Sequence, residues 1–367
     1  MAIKDEPKDE PSFSDSEADI KPQNRERTTD ADGNKRKPDE AGRPHAADAK
    51  RIKTGGPAGS EDTRQESDPP RSKCDAFWYK DGNVVVVVGN TAFKLYKARL
   101  SRYSIVLAGQ FADEGAGRPT MEGCPVYELT GLKVEDFKQF LEALETPIVF
   151  ASRSPSQPTL ISILRASQAL DCSTTRAFAL EKLRSIWPHD DPTLPGGKLG
   201  GPLAVRIIQL SRECGVPELR KRAFYELIRS SSFWERIATN RSSIHLPDAD
   251  IIALLLARQE LQRLWSALVF EPPFGKDTGC PTKTCAPNIF KGGPVGRTGL
   301  WRAQMIEDGD FDAGSADPIG HLEMLLTKRA EDLAAQGWCE GCMENRQKAW
   351  MDAQVNWWGV LDQWCKS

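Results

Sequence analysis

Val84-Val85-Val86-Val87-Val88-Gly89-Asn90-Thr91-Ala92-Phe93-Lys94-Leu95-Tyr96-Lys97 opens the part of the chain that can build a core. Five consecutive β-branched residues, bounded by Asp81-Gly82-Asn83 and Gly89-Asn90, read as a fully buried strand. Gly89-Asn90 is hairpin-turn chemistry. The next segment alternates, with Phe93 and Leu95 on one face and Lys94 and Tyr96 on the other, the pattern of a half-buried strand. The period then becomes helical: Leu100, Tyr103, Ser104, Leu107 and Phe111 share one stripe of a single expected helix. A short strand is expected at Val126–Leu129, and a helix at Val134–Leu144 with Phe137, Phe140, Leu141 and Leu144 on its apolar face.

C-terminal to this unit the chain reads as helical. Amphipathic helices are expected at Leu160–Leu170, Ala177–Trp187, Leu203–Cys214 and Pro217–Arg229, the last with a stripe of Val216, Leu219, Ala223, Leu227 and Ile228. Leu246-Pro247-Asp248 opens a long helix to about Val269. Residues 271–300 read as a Gly/Pro/Cys-rich connection. Its Gly292–Gly299 stretch has the glycines of a phosphate loop but neither the lysine nor a preceding buried strand, and reads as a flexible connection. Asp317-Pro318 caps a helix ending near Gly337, and a final helix runs from about Met343 to Trp364. Trp350, Trp357 and Trp364 recur every seven residues beside Leu361, a stripe that packs against earlier helices or forms a partner face.

N-terminal to the valine run the composition changes. Residues 1–73 hold 13 apolar residues and one aromatic, Phe13. Such a segment buries too little apolar surface to offset its ordering entropy, so it is expected to be disordered. Its charge is segregated. Residues 1–32 carry five Lys/Arg against ten Asp/Glu, and residues 35–53 carry seven against three. Lys35-Arg36-Lys37 and Lys50-Arg51-Ile52-Lys53, separated by twelve polar residues, have the form of a bipartite nuclear import signal. Ile3-Lys4-Asp5-Glu6 fits conjugation of a ubiquitin-like modifier at Lys4. Ser14 and Ser16, each with an acidic residue three positions on, fit acid-directed kinases. The competing reading of all these segments is a solvated polar tail.

The strand–hairpin–strand–helix order resembles the BTB/POZ family, on Val84–Gly89 followed by Phe93, Lys97, Leu100, Ser104, Leu107 and Phe111. Residues 75 to about 187 follow the family order. Cys214-Gly215-Val216-Pro217-Glu218-Leu219-Arg220-Lys221-Arg222-Ala223 is similar to the helical extension of fungal BTB proteins. The resemblance implies an α+β fold: a small sheet flanked by short helices, followed by an all-α region. It also implies homodimerisation and docking of protein partners in a nuclear regulatory role such as transcription regulation, with a substrate adaptor of a cullin-RING ubiquitin ligase as the alternative. Two positions depart from the family pattern: Tyr96 stands where a His is usual, and Asn83 where many members have the Asp of a charged dimer pocket. The expected organisation is a tail at 1–73, a BTB-like domain at 74–190, a helical extension at 191–270 and a Cys/Trp-rich helical region at 271–367.

The remaining chemistry lies in the cysteines. Cys280-x4-Cys285 and Cys339-x2-Cys342 together offer four thiolates to a structural zinc, with His321 and Cys365 as substitutes; the alternative is four packed thiols and no cofactor. Cys74, Cys124, Cys172 and Cys214 read as isolated thiols. His45, His189, His245 and His321 are the four histidines, and none sits in a nucleophile motif, so no enzyme is expected. A net charge of −3 argues against a surface given over to nucleic acid. The longest apolar run, Ile251–Ala257, is far short of the ~20 residues of a membrane span. The first residues have no secretory apolar region, so thiols rather than disulfides are expected, in the nucleus or alternatively the cytoplasm.

Overall fold

The valine run is buried on both faces and paired on both edges. In the computed structural model, which describes residues 71–113, 117–152, 154–194, 197–283, 285 and 293–365, strand β2 (Val84–Val88) is antiparallel to β3 (Thr91–Leu95), with Val84 opposite Leu95 and Val88 opposite Thr91. Its other edge is parallel to β5 (Cys124–Leu129), with Val85 opposite Val126. Gly89 turns the hairpin at φ +54°, a left-handed value open to glycine at little cost. Adding β1 (Ser72–Trp78) and β4 (Thr120–Met121) gives a five-stranded sheet in the order β1-β3-β2-β5-β4. The fold is α+β, with a largely helical C-terminal half.

The two sets of valines serve different layers. Val84, Val86 and Val88 pack with Phe93, Leu107, Phe111 and Phe137 under the helices, whereas Val85 and Val87 meet Ala92, Cys124 and Val126 on the opposite face. β1 has no counterpart in the expected strands, and Ser72 and Lys73, assigned by sequence to the tail, belong to it. It runs parallel to β3 and covers that strand's free edge. This corrects the half-buried reading of β3: Lys94 is buried, its Nζ 3.4 Å from Glu122.

The helix expected across residues 100–111 is two helices, α1 (Lys97–Tyr103) and α2 (Ile105–Ala112). Ser104 breaks it. Its backbone is extended, its Oγ accepts the Leu107 N–H at 3.0 Å, and its hydroxyl donates to the Leu170 carbonyl at 2.5 Å. A serine on the apolar stripe is thus the N-cap of α2 rather than a residue of one long helix. Helices α3 (Val134–Glu145), α4 (Pro147–Ser152), α5 (Gln157–Ala169) and α6 (Ser173–Ile186) complete this half.

A second apolar cluster runs from Ala143 to Cys365, and all described residues belong to one compact unit, residues 66–367. At its centre is α8 (Arg220–Ile228), packed against α7 (Gly201–Glu213) and α10 (Asp248–Val269). The stripe expected on α8 is buried, but so is every other residue of the helix, including Arg220, Lys221, Arg222 and Glu226. Glu226 answers Arg222 and also Arg229, the residue that follows the helix. It accepts from Arg222 Nε at 2.9 Å and Arg229 Nη2 at 2.7 Å, and its second oxygen takes the Leu199 N–H at 3.0 Å. Asp250 pairs in the same way with Arg212 and Arg220.

Beyond α10, a short turn α11 (Gly275–Thr278) leads to α12 (Gly293–Glu307), α13 (Asp310–Ala316), α14 (Pro318–Met324), α15 (Ala330–Ala335) and α16 (Glu340–Val360). Gly293–Gly299, read as a flexible connection, is the start of α12. Trp350 and Trp357 of the tryptophan stripe are buried, against Trp301 and Trp265 respectively.

Gly314 in α13 lies against Trp265, and a Cβ there would fall 2.0 Å from Cζ2 of the indole. The indole is fully buried and held by its N–H donating to the Phe311 carbonyl at 3.0 Å. In an open helix, glycine to alanine stabilises by about 1 kcal/mol. Here the sign is expected to reverse, because overpacking a fixed ring costs ~1–3 kcal/mol or more. Gly314→Ala should lower the denaturant midpoint; a raised midpoint would mean that the ring moves aside freely.

Candidate metal centre

Two segments distant in sequence carry the four cysteines together. The loop after α11 holds Cys280 and Cys285, and the first turn of α16 holds Cys342, with Cys339 at its N-cap. Gly279 (φ +64°) and Gly337 (φ +96°) make the left-handed turns that lead into each pair. The four sulfurs all lie within 4.8 Å of one another. Cys280 and Cys339 are 3.4 Å apart, Cys339 and Cys342 3.6 Å, and Cys285 and Cys342 3.7 Å. These separations exceed the ~2.05 Å of a disulfide. They match the edge of about 3.8 Å that a tetrahedron with ~2.3 Å zinc–sulfur bonds requires. His321 and Cys365 are not part of the cluster. His321 is buried against Asp310 at 3.0 Å, and burial pushes the Cys365 thiol up to about 12.

The surroundings suit a group that binds as thiolate. Burial alone would raise the Cys339 thiol, but the Cys342 N–H and the neighbouring sulfurs outweigh it and bring it down to about 7. Burial, and then hydrogen bonding to the other three sulfurs, push Cys342 well up, and burial also raises Cys285. Four adjacent sulfurs cannot all ionise in a low dielectric without a cation among them. The Thr282 N–H donates to Cys280 Sγ at 3.3 Å, and Arg297 Nη2 donates to Cys342 Sγ at 3.2 Å. The Arg297 guanidinium is buried, its Nη1 donates to the Pro273 carbonyl at 2.7 Å, and its carbon stands 5.2 Å from the Trp338 ring centroid. A divalent cation with four thiolates carries a net charge of −2, so a fixed cation at one sulfur offsets part of it. Sequence alone missed Arg297, whose glycine-rich surroundings hid the helix that carries it.

The isolated thiols Cys74, Cys124, Cys172 and Cys214 are buried one by one. Phe93, Leu100, Ser104, Leu107 and Phe111 are core residues. The Lys97 N–H opens α1 by donating to Asn83 Oδ1 at 2.7 Å, and the Tyr96 hydroxyl donates to Asp81 Oδ1 at 2.6 Å. Asn83 and Tyr96 therefore both help to hold the junction between hairpin and helix. Lys35, Arg36, Lys37, Lys50, Arg51 and Lys53, and the modification candidates Lys4, Ser14 and Ser16, lie outside the described residues.

No protein-family model matches the chain, and no curated protein matches it. Among the described residues, no helix is long and apolar enough to cross a membrane.

Proposed function

We propose that the chain is a non-catalytic protein-docking module of the BTB/POZ type, acting as a homodimer, with its C-terminal half fastened by a structural zinc ion at Cys280, Cys285, Cys339 and Cys342. The observation that carries the zinc is the grouping of four sulfurs from two remote segments within 4.8 Å of one another. Four protein ligands leave no open position for substrate, which favours a structural ion over a catalytic one. When bound, the ion supplies cross-linking of the Cys280–Cys285 loop to the start of α16.

Docking is supported by the order of elements in residues 72–186 and by an apolar step on its surface. Ile105 is 70% exposed and Val106 36% exposed at the start of α2, beside fully buried Leu107. A two-fold contact through this corner covers both copies at once. The basic clusters at 35–37 and 50–53 support a nuclear site of action in regulation of gene expression, with direct nucleic-acid binding not required.

Light scattering on the full chain tests the dimer. The expected mass is twice 40.7 kDa. Ile105→Asp should return it to one copy with an unchanged circular dichroism spectrum, because the side chain is 70% exposed. A monomer at about 100 μM, well above the Kd of ordinary stable interfaces, would sink the dimer.

A second reading, a cullin-ligase adaptor, draws on an apolar groove of about 250 Å3 between Tyr103, Leu144, Pro147, Phe150 and Phe178, with Ile148 82% exposed in the α4 turn beside it. A cullin retained by the purified chain would favour it.

A further inference from the structure

A cleft of about 590 Å3 runs along α7, closed on its other side by α9 (Ser231–Thr239) and the turn at Arg241–Ser243. It is lined from Gly201 to Glu213, so it follows the whole helix, roughly 18 Å at 1.5 Å per residue. Four cations face it: Lys133, Arg165, Arg206 and Arg236. Glu213 is the one carboxylate among the lining residues, and Arg165 already covers it at 2.7 Å while also meeting buried Asp136 at 3.3 Å. Lys133 and Arg206 are exposed, and neither side chain makes a hydrogen bond or ion pair among the described residues. Among the described residues Arg236 donates only to neutral acceptors, the hydroxyl and carbonyl of Ser243.

The backbone adds to this field. α7 starts at the cleft with Gly201-Pro202, without a side-chain cap and without an acidic residue in its first turn. The positive end of its dipole therefore stands at that end of the cleft and favours negative charge there. The floor is apolar, formed by buried Phe233 and Ile244 beside half-buried Val205.

We propose that this cleft binds an extended acidic peptide segment of a partner protein. Its length fits about five residues at ~3.3 Å each. Carboxylates reach Lys133, Arg206 and Arg236, and one aliphatic side chain rests on Phe233 and Ile244. Peptide is favoured over single-stranded nucleic acid because the lining offers no exposed aromatic ring other than the His245 imidazole on which bases could stack. The site is separate from the cysteine cluster and from the Ile105 corner, and it requires neither proposal above.

The test is fluorescence anisotropy of a labelled synthetic peptide, Glu-Glu-Asp-Leu-Glu-Asp-Glu-Glu, titrated with the full chain. Saturable binding is expected, weakening as salt is raised through the range where the Debye length falls below ~10 Å. Arg206→Glu should raise the Kd at least about tenfold, equivalent to ~1.4 kcal/mol, and Lys133→Glu should raise it further in the double variant. Both side chains are exposed, so circular dichroism should be unchanged. Absence of saturation up to about 1 mM peptide, an unchanged Kd in Arg206→Glu, or an oligothymidylate of equal charge binding more tightly with the same sensitivity to Arg206→Glu would each overturn the proposal.

Discussion

Replacing Cys342 with serine is expected to remove bound zinc and unfold much of the C-terminal half. Cys342 is the most enclosed of the four sulfurs: it is fully buried, within 3.7 Å of Cys285 and Cys339, and the acceptor for Arg297. Serine would leave three ligands, an unmatched Arg297 donor and a buried hydroxyl. Structural zinc binding in small domains is worth ~10–16 kcal/mol in apparent terms at neutral pH, because binding and folding are one equilibrium. In a chain that also has an apolar core, a loss of about 5 kcal/mol is expected. Metal analysis should fall from one zinc per chain to none. A chelator should lower the thermal midpoint of the parent but not of the variant. Cys214→Ser, at a lone buried thiol, should keep its zinc and so controls for loss of a cysteine as such. A parent chain that purifies without zinc, together with an unchanged midpoint in Cys342→Ser, would show four packed thiols and no metal.

Glu226→Ala is expected to be nearly as damaging, for a reason unrelated to metal. The carboxylate is 2% exposed and is shared by Arg222, 0% exposed, and Arg229, 8% exposed. Removing one partner of a buried pair costs ~3–5 kcal/mol, since the remaining charge is left without solvent or counter-ion. Two guanidiniums lose their acceptor here, and the Leu199 N–H loses its own. Arg229 retains Asp317 at 3.3 Å, and both arginines keep the Gly197 carbonyl at 2.7 Å, which limits the damage. The expected loss is about 5 kcal/mol, at the lower end of the total stability of a typical domain. Glu226→Gln, which keeps an oxygen acceptor, should fall in between. Urea unfolding of the three chains decides it: an alanine variant within ~1 kcal/mol of the parent would mean that water replaces the carboxylate.

The sequence made the centre of the fold legible and its periphery less so. Five β-branched residues followed by a glycine turn admit few alternatives, and Val84–Val88 and Thr91–Leu95 pair in the way that turn dictates. β1 was not legible because only Cys74 and Phe77 of its seven residues are buried, too sparse for a period of two. Its absence is also why Lys94 reads as solvent-facing. Ser104 shows the limit of periodicity, since a capping hydroxyl falls on the apolar stripe as readily as a core residue. α8 reads as amphipathic because its charges look solvated; the carboxylates of Glu226, Asp250 and Asp362, brought in from its own next turn and from remote segments, together with the Gly197 carbonyl, make burial of those cations tolerable. The four cysteines were legible as two pairs, and their meeting in space was an inference from spacing that the geometry satisfies. The Arg297 contact was not, because no local pattern marks a cation that reaches a sulfur 45 residues away.

The apolar cluster that ends at Cys365 also sets a timetable for biosynthesis. The sheet cluster draws on residues no later than Cys172, whereas the larger one needs Trp358, Leu361 and Cys365, and Trp358 is held by the His189 carbonyl at 2.7 Å. At ~5–20 residues per second, a ribosome spends roughly 10–40 s between those two points. Late in that interval the nascent chain carries a finished sheet layer, Lys221 of α8 still lacks Asp362, and Cys280 and Cys285 wait for the second pair. Yield in a heterologous host should therefore depend on holdase chaperones, and on zinc being present while the last ~30 residues are made.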